Sequence, residues 1–141
     1  MGEIKTFRDL QAWQVGMETT MRTYELTSTF PEEERYGLVS QMRRASISIP
    51  SNVAEGDGVD RPRWALRYIN TAIASSLELE TQLEIAVKLQ YASRERAHKL
   101  ADSLDRAQKL LYGMRRSKRQ RIGLAASGAG IVLLVSAGLF T

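Results

Sequence analysis

The hydrophobic positions of this chain recur at helical spacing along most of its length. In the second such segment, five apolar residues follow one another at intervals of 4, 3, 4 and 4 and share one face of a helix: Leu38, Met42, Ala45, Ile49 and Val53. The stripe passes Pro50 without a change of phase. Because an interior proline removes one helical hydrogen bond and crowds the carbonyl four residues earlier, we predict a second helix that is kinked at Pro50.

Three further segments show the same periodicity, and none alternates with the period of two that indicates a β-strand. The first runs from about residue 7 to residue 27 behind Thr6 as a cap, and the third runs from about Asp60 to Gln90. The fourth starts near Ser93 and has the most regular heptad spacing: Ala97, Leu100, Leu104, Ala107, Leu111 and Met114. Short breaks rich in Pro and Gly separate the segments, which favours an all-α, antiparallel up-down four-helix bundle over residues 1–114.

In helix one, a single apolar stripe is indicated, because the following residues fall near one face: Phe7, Leu10, Gln14, Met17, Met21 and Tyr24. Helices two and three each carry a second, weaker apolar stripe, formed by the following residues: Tyr36, Ile47 and Ala54 in helix two; Trp64, Tyr68, Ile85 and Leu89 in helix three. A helix with two apolar stripes is usually buried twice, once in its own bundle and once against a neighbour. We therefore expect the bundle to assemble with copies of itself.

The end of the chain differs from the rest. Between Ile122 and Phe140 there are 19 residues without a charge, which as a helix would span about 28 Å against a hydrocarbon core of roughly 30 Å. We therefore divide the chain into a bundle (1–114), a basic linker (115–121) and an apolar tail (122–141). The tail is a candidate transmembrane helix that would anchor a cytoplasmic bundle to the inner membrane. The alternative, a tail that packs within the assembly or is a soluble appendage, stays open.

The charge and the residue inventory argue against most enzymes. The net charge of +4 arises in residues 115–121, which hold 5 basic side chains, whereas residues 1–114 carry 15 basic and 16 acidic ones. The chain has no cysteine and one histidine, so a Ser-His-Asp or Cys-His arrangement would depend on His98, which lies in a helix with no obvious Ser partner. Glu95 and His98 have the spacing of a di-iron ligand pair, but that site needs two such pairs. We expect no catalytic residue, no metal and no cofactor.

Two basic stretches are candidates for nucleic-acid contact. At the start of helix three, Arg61, Arg63 and Arg67 flank Trp64, a mixture that can hold phosphates and stack bases. The second stretch contains the following cations: Arg115, Arg116, Lys118, Arg119 and Arg121. Solvated cations around a packed tryptophan are the structural alternative. An RNA- or DNA-binding accessory factor is thus the second hypothesis for function.

Four charged residues are predicted to form an assembly contact or a buried polar network: Arg43, Arg44, Glu55 and Glu80. Glu80 falls in the middle of an apolar arc that includes Leu77, where an unpaired carboxylate is costly. A guanidinium of helix two is the natural partner. Arg44 and Glu55 are about 16 Å apart along one helix, so we predict pairing between subunits. A clamp of Arg43 or Arg44 on RNA phosphate is the alternative.

Three blocks of the sequence resemble a known family in order and spacing: FRDLQAWQ (Phe7–Gln14), FPEEERYGLVSQMRRASISIPSNVAEG (Phe30–Gly56) and ALRYINTAIASSLELETQLEIAVKL (Ala65–Leu89). This is the four helix bundle protein family first noticed in intervening sequences of bacterial 23S rRNA genes. The resemblance implies a ring-shaped homopentamer without catalysis. Distant relatives are accessory proteins of diversity-generating retroelements, which bind nucleic acid and a reverse transcriptase. Our leading hypothesis is accordingly a non-enzymatic, self-assembling adaptor or scaffold.

Two features of the chain depart from this family pattern. Its bundle lacks the net basic charge that the retroelement accessory proteins use, and an apolar tail is not part of the pattern. The first departure weakens the inference of nucleic-acid binding, and the second suggests a variant that is attached to a membrane.

Overall fold

The structure is a computed structural model that describes residues 2, 3 and 5–138, and of their side chains those up to residue 128. Within these residues the chain is all-α and contains no strand. Four helices follow one another: α1 (Gln11–Thr27), α2 (Leu38–Asp57), α3 (Pro62–Lys88) and α4 (Arg94–Gly138). The predicted all-α fold with four helices is therefore confirmed.

The helix starts follow the sequence signals in part. Thr6 is a cap, as predicted, but it caps a short 3-10 turn, Phe7–Asp9, in which Asp9 accepts a bond from the Thr6 N–H. Leu10 then adopts an extended backbone, so α1 begins at Gln11. At the start of α3 the cap position is held by Arg61, without a side-chain bond, and not by Asp60.

The helices pack in a closed order, in which α1 contacts α2 and α4 while α3 contacts α2 and α4. Glu18 of α1 lies against Arg106 of α4, and Thr29 lies against Arg96, so these two helices run antiparallel. The largest fully buried apolar side chains come from α2, α3 and α4: Met42, Ile49, Val53, Ile69, Leu79, Leu100, Leu104 and Leu111. The heptad stripe predicted for the fourth helix is thus the side of α4 that faces the core.

The two ends of the bundle are built differently. The closed end carries the α1–α2 and α3–α4 connections, where Glu34 accepts bonds from the Leu38 N–H at 2.8 Å and the Tyr91 hydroxyl at 3.1 Å. One carboxylate thereby caps α2 and ties it to the turn before α4. The opposite end, which we call the basic end, carries the α2–α3 connection (58–61), the start of α3 and the part of α4 around residues 115–121.

Helix α1 buries a side that its apolar pattern does not indicate. Its buried residues are small or hydroxyl-bearing, apart from one leucine: Ala12, Gly16, Thr19, Thr20, Thr23, Leu26 and Thr27. The hydroxyls of Thr19, Thr23 and Thr27 donate to the carbonyls four residues earlier, at 2.7 to 2.8 Å, so their burial leaves no unpaired donor. Met17, Met21 and Tyr24 consequently lie on the exposed side.

The buried face of α3 is rotated from the arc that we predicted. Leu77, assigned to that arc, is 45% exposed, and Glu80 is exposed as well. The buried face includes residues that a count of large apolar side chains passes over: Ala65, Ser75, Ser76, Gln82 and Ala86. The prediction that Glu80 lies in the middle of the buried arc is wrong for the single chain, because these small and polar residues take the core positions.

Helix α2 continues through Pro50, which is buried. Since proline has no N–H, the Ser46 carbonyl lacks its helical donor. The Thr20 hydroxyl of α1 lies 2.9 Å from that carbonyl and donates to it, sharing its hydrogen with the Gly16 carbonyl, also at 2.9 Å. The two helices approach closely because Gly16 has no side chain: a Cβ there would lie 3.3 Å from Pro50. The kink itself stays a prediction.

Helix α4 passes through residues 115–121 without a break and continues to Gly138. Residues 115–121, predicted as a basic linker, are therefore helical. The division of the chain at residues 114 and 121 stays a prediction. Among the residues searched, which are those the structure describes, no helix is long and apolar enough to cross a membrane. The predicted span, 122–141, falls largely on side chains outside that description and gains no support.

Candidate interaction surfaces

The first surface is an apolar patch that spans α1 and α2. We define this α1–α2 face by five exposed side chains: Met17, Met21, Tyr24, Tyr36 and Ile47. The first three lie on one side of α1 at spacings of 4 and 3. Tyr24, Tyr36 and Ile47 line one open groove between the helices. Tyr36 is 88% and Met21 64% exposed, so the patch presents large apolar side chains to solvent.

Three arginines surround this groove: Arg35, Arg43 and Arg44. The Nε–H of Arg43 donates to the Thr27 hydroxyl at 3.0 Å, and its guanidinium lies 4.4 Å from the centre of the Tyr24 ring. That cation is thus held over an aromatic face. Arg44 is exposed at the edge of the groove. The α1–α2 face is apolar in its middle and positively charged around it.

The second surface is the outward side of α3. We define the α3 outer face by three exposed apolar residues and three exposed glutamates: Leu77, Ile85, Leu89, Glu78, Glu80 and Glu84. Ile85 and Leu89 belong to the predicted second stripe, whereas Leu77 was assigned to the core. Lys88 is the cation that follows Glu84 by four residues. Arg94 lies 3.9 Å from Glu84, whereas Glu78 and Glu80 form no ion pair in the described residues. The face is therefore apolar and, at Glu78 and Glu80, negative, opposite in charge to the α1–α2 face.

The four residues of the predicted network do not meet within one chain. Glu80 accepts a hydrogen bond from the Gln108 amide of α4 at 2.9 Å, not from an arginine. Glu55 and Arg44 are both exposed, and Arg43 bonds to Thr27 as described. None of the four is buried, so a buried network within the chain is ruled out for these residues. Their pairing between subunits stays a prediction.

The third surface lies at the basic end, where the two predicted basic stretches come together. One groove is lined by Arg61, Arg63 and Trp64 of α3 and by Arg121 of α4, with Ile122 beside them. Trp64 is 48% exposed, so it does not pack as fully as the structural alternative assumed. The antiparallel course of α3 and α4 explains the convergence of segments that are about 55 residues apart in the sequence.

A neighbouring groove on α4 adds a second aromatic ring to this end. It is lined by Tyr112, Arg115, Arg116, Arg119 and Gln120. The Arg115 guanidinium lies 4.9 Å from the Tyr112 ring centre, and the Arg67 guanidinium lies 5.0 Å from that of Trp64. Each ring therefore has a cation against it. Tyr112 was not among the residues predicted to contact nucleic acid, although its position three residues before Arg115 could have shown it.

Candidate catalytic groups do not gather in the described residues. His98 is exposed on α4, and within the described ranges no group of three or more His, Cys, Asp or Glu side chains could hold a metal ion. Burial raises the pKa of Tyr91, and its hydrogen bond to Glu34 raises it further. Because Glu34 also caps α2, this pair is structural.

These features describe a small all-helical bundle with exposed apolar and charged faces. Residues 8–113 match the family described as 23S rRNA-intervening sequence protein, and the chain belongs to that family. Among solved structures, the chain is similar to the 1.70 Å crystal structure of a protein with unknown function from the S23 ribosomal protein family of Bacteroides thetaiotaomicron VPI-5482. The two are 20% identical with a TM-score of 0.67, over 74% of this chain and 97% of that chain. No curated protein matches the chain.

The family match confirms the resemblance drawn from the three sequence blocks. At 20% identity, the structural likeness shows the fold alone. The printed description of that neighbour assigns no function, so the function of this chain has to be argued from its own surfaces.

Proposed function

We propose that this protein is a non-enzymatic subunit that assembles with copies of itself and acts as an adaptor or scaffold. The observation that supports it is the orientation of α1. This helix buries four threonines and turns Met17, Met21 and Tyr24 toward solvent. A monomer would gain from the opposite arrangement, because burial of a large apolar side chain is worth about 1.5–3 kcal/mol. Large exposed apolar patches mark interaction sites.

A second copy of the chain is the occupant that fits the α1–α2 face. The face carries Arg35, Arg43 and Arg44 around its apolar middle. The α3 outer face of another copy offers apolar side chains with three glutamates among them. Opposite charges across an interface fix its register and disfavour other partners. The two faces of one chain therefore complement each other between copies.

This pairing joins unlike faces, and that has a consequence for the assembly. A contact between two different patches is heterologous, so each added copy leaves both patches available at the ends until a ring closes. In this arrangement Arg44 of one subunit faces Glu80 of the next. Five subunits is the number that the sequence resemblance implies.

The proposal is tested by static light scattering of the full chain at micromolar concentration. We expect a mass that is a multiple of 15.8 kDa, with five copies as the expected number. The variant Ile47→Glu places a carboxylate in the α1–α2 face, where its desolvation opposes association. It is expected to shift the protein toward the monomer with an unchanged helical circular dichroism spectrum.

Ala101→Glu is the matched control. Ala101 is exposed on α4, outside both faces, so the variant adds the same charge and should keep the wild-type mass. A monomer for the wild-type chain would overturn the proposal. Equal masses for wild type, Ile47→Glu and Ala101→Glu would show that the α1–α2 face is not the contact.

A further inference from the structure

We propose that the basic end of the bundle is a binding site for single-stranded nucleic acid, with Trp64 as a stacking platform and the surrounding arginines as phosphate ligands. This site is separate from the α1–α2 face and the α3 outer face. The proposal of nucleic-acid binding can therefore be overturned without affecting the proposed assembly, and the reverse also holds. The two are distinguished by measuring oligomer mass and nucleic-acid binding on the same protein samples.

Positively charged side chains converge at the basic end. Eight cations lie on the start of α3 and the neighbouring part of α4: Arg61, Arg63, Arg67, Arg115, Arg116, Lys118, Arg119 and Arg121. In the described part of the chain, none of these eight cations forms an ion pair. The sequence also has no Asp or Glu after Asp105. The carboxylates at this end, Glu55, Asp57 and Asp60, form no ion pair with the eight cations in the described residues and are outnumbered by them. A polyanion would therefore meet a net positive surface and would release its counterions on binding.

Two aromatic rings, those of Trp64 and Tyr112, lie in the grooves that these cations line. Trp64 is half exposed in the groove that contains Arg61, Arg63 and Arg121. Tyr112 lines the next groove on α4, about 15 Å from Ile122 by helical rise. Aromatic rings beside tracks of positive charge are the recurring design of sites that bind single strands, because every base has a face that can stack.

The arrangement favours a flexible strand over a flat anionic membrane. At 3.6 residues per turn, the five cations between residues 115 and 121 point around most of the circumference of α4. A planar surface reaches only one side of such a helix, whereas a single strand can follow the charge around it. Seven of the eight cations are arginines, whose planar guanidinium groups bind phosphate bidentately and stack on aromatic rings.

The experiment is fluorescence anisotropy of the full chain with labelled single-stranded DNA and RNA of mixed sequence, each about 15 nucleotides long. We expect binding at low salt that weakens with a log–log slope of about −0.7 for each phosphate contact. The double variant Arg61→Gln/Arg121→Gln should reduce the magnitude of that slope by about 1.4. Trp64→Leu should weaken binding roughly 5- to 100-fold at an unchanged slope.

Arg96→Gln/Lys99→Gln is the matched control, because it removes the same charge from exposed residues near the start of α4, away from the basic end and from both faces. It should bind as the wild type does. Vesicles of phosphatidylserine and phosphatidylcholine test the membrane alternative. The inference is overturned if neither oligonucleotide binds at low salt, if only the vesicles bind, or if both site variants bind as tightly as the control. Loss of binding with an unchanged oligomer mass would support it.

Discussion

Polar groups have partners within the chain at the junction of α1 with α2, whereas the cations at the basic end of the bundle have no ion-pair partner in the described residues. At the junction, Pro50 deprives the Ser46 carbonyl of its helical donor, and the Thr20 hydroxyl of the next helix supplies another at 2.9 Å. At the basic end, Arg67 and Arg115 lie beside aromatic rings, and none of the eight cations forms an ion pair in the described residues.

The difference follows from solvent access. A buried polar group without a partner costs about 1–3 kcal/mol, so the fold provides a partner within the chain. An exposed cation is solvated by water and needs no such partner. Polar groups that are satisfied internally therefore indicate packing. Exposed cations gathered beside exposed rings indicate a surface that is available to another molecule.

We expect the largest effect from removing the hydrogen bond between the Thr20 hydroxyl and the Ser46 carbonyl. Thr20→Val keeps the shape of the side chain but leaves the Ser46 carbonyl buried without a donor, so we expect a loss of about 2 kcal/mol in the free energy of unfolding. Urea denaturation measures it. Thr71→Val is the control, because the Thr71 hydroxyl bonds to the Arg67 carbonyl on an exposed side of α3. Equal losses in the two variants would contradict the role assigned to Thr20.

A smaller effect is expected at the basic end. The double variant Arg61→Gln/Arg121→Gln removes two exposed cations that have no carboxylate partner, so its stability should stay within about 0.5 kcal/mol of the wild type. Any change should be a gain at low salt, because like charges repel less. Urea denaturation at two ionic strengths tests this. A salt-sensitive loss of stability would mean that these arginines support the fold.

At the closed end, the hydrogen bond between Tyr91 and Glu34 is expected to make stability depend on pH. Burial raises the pKa of Tyr91 above 10.0, and Glu34 raises it further through its hydrogen bond and charge. The unfolded tyrosine ionises near its ordinary value, so this stabilisation is complete below pH 10 and is lost as the pH rises through the folded value. Tyr91→Phe should therefore show a smaller fall in stability above pH 10.

The control for this test is Tyr112→Phe, because the Tyr112 ring lies against the Arg115 guanidinium, at 4.9 Å, and not against a carboxylate. Thermal unfolding at several pH values between 8 and 11, on the order of half a unit apart, follows the three proteins. A wild-type curve parallel to that of Tyr91→Phe would exclude the contribution of Tyr91.

Much of the fold could be predicted because periodicity reports on large apolar side chains. The heptad of α4 and the passage of α2 through Pro50 are both local patterns, and both are confirmed. The donor to the Ser46 carbonyl was not predictable, since Thr20 reaches it only after α1 and α2 have packed. Likewise, Glu80 was misplaced because Ser76 and Gln82 take core positions that a hydrophobicity count gives to larger residues.

The candidate surfaces were predictable to a different extent. The second stripe pointed correctly to exposed residues such as Ile47 and Ile85. Met17 and Met21 looked like core residues, because only the threonine hydroxyl bonds within α1 make the other side of that helix suitable for burial. The convergence of Trp64 with Arg121 required the antiparallel packing of α3 on α4.

The central claim is that copies of the chain join through faces of opposite charge, and a charge exchange tests it most directly. Light scattering should show that Arg44→Glu and Glu80→Arg each shift the protein toward the monomer, because each places like charges across the contact. The double variant Arg44→Glu/Glu80→Arg restores opposite charges and should regain the wild-type mass. Wild-type mass in all three variants, or a double variant that dissociates more than either single variant, would contradict the account.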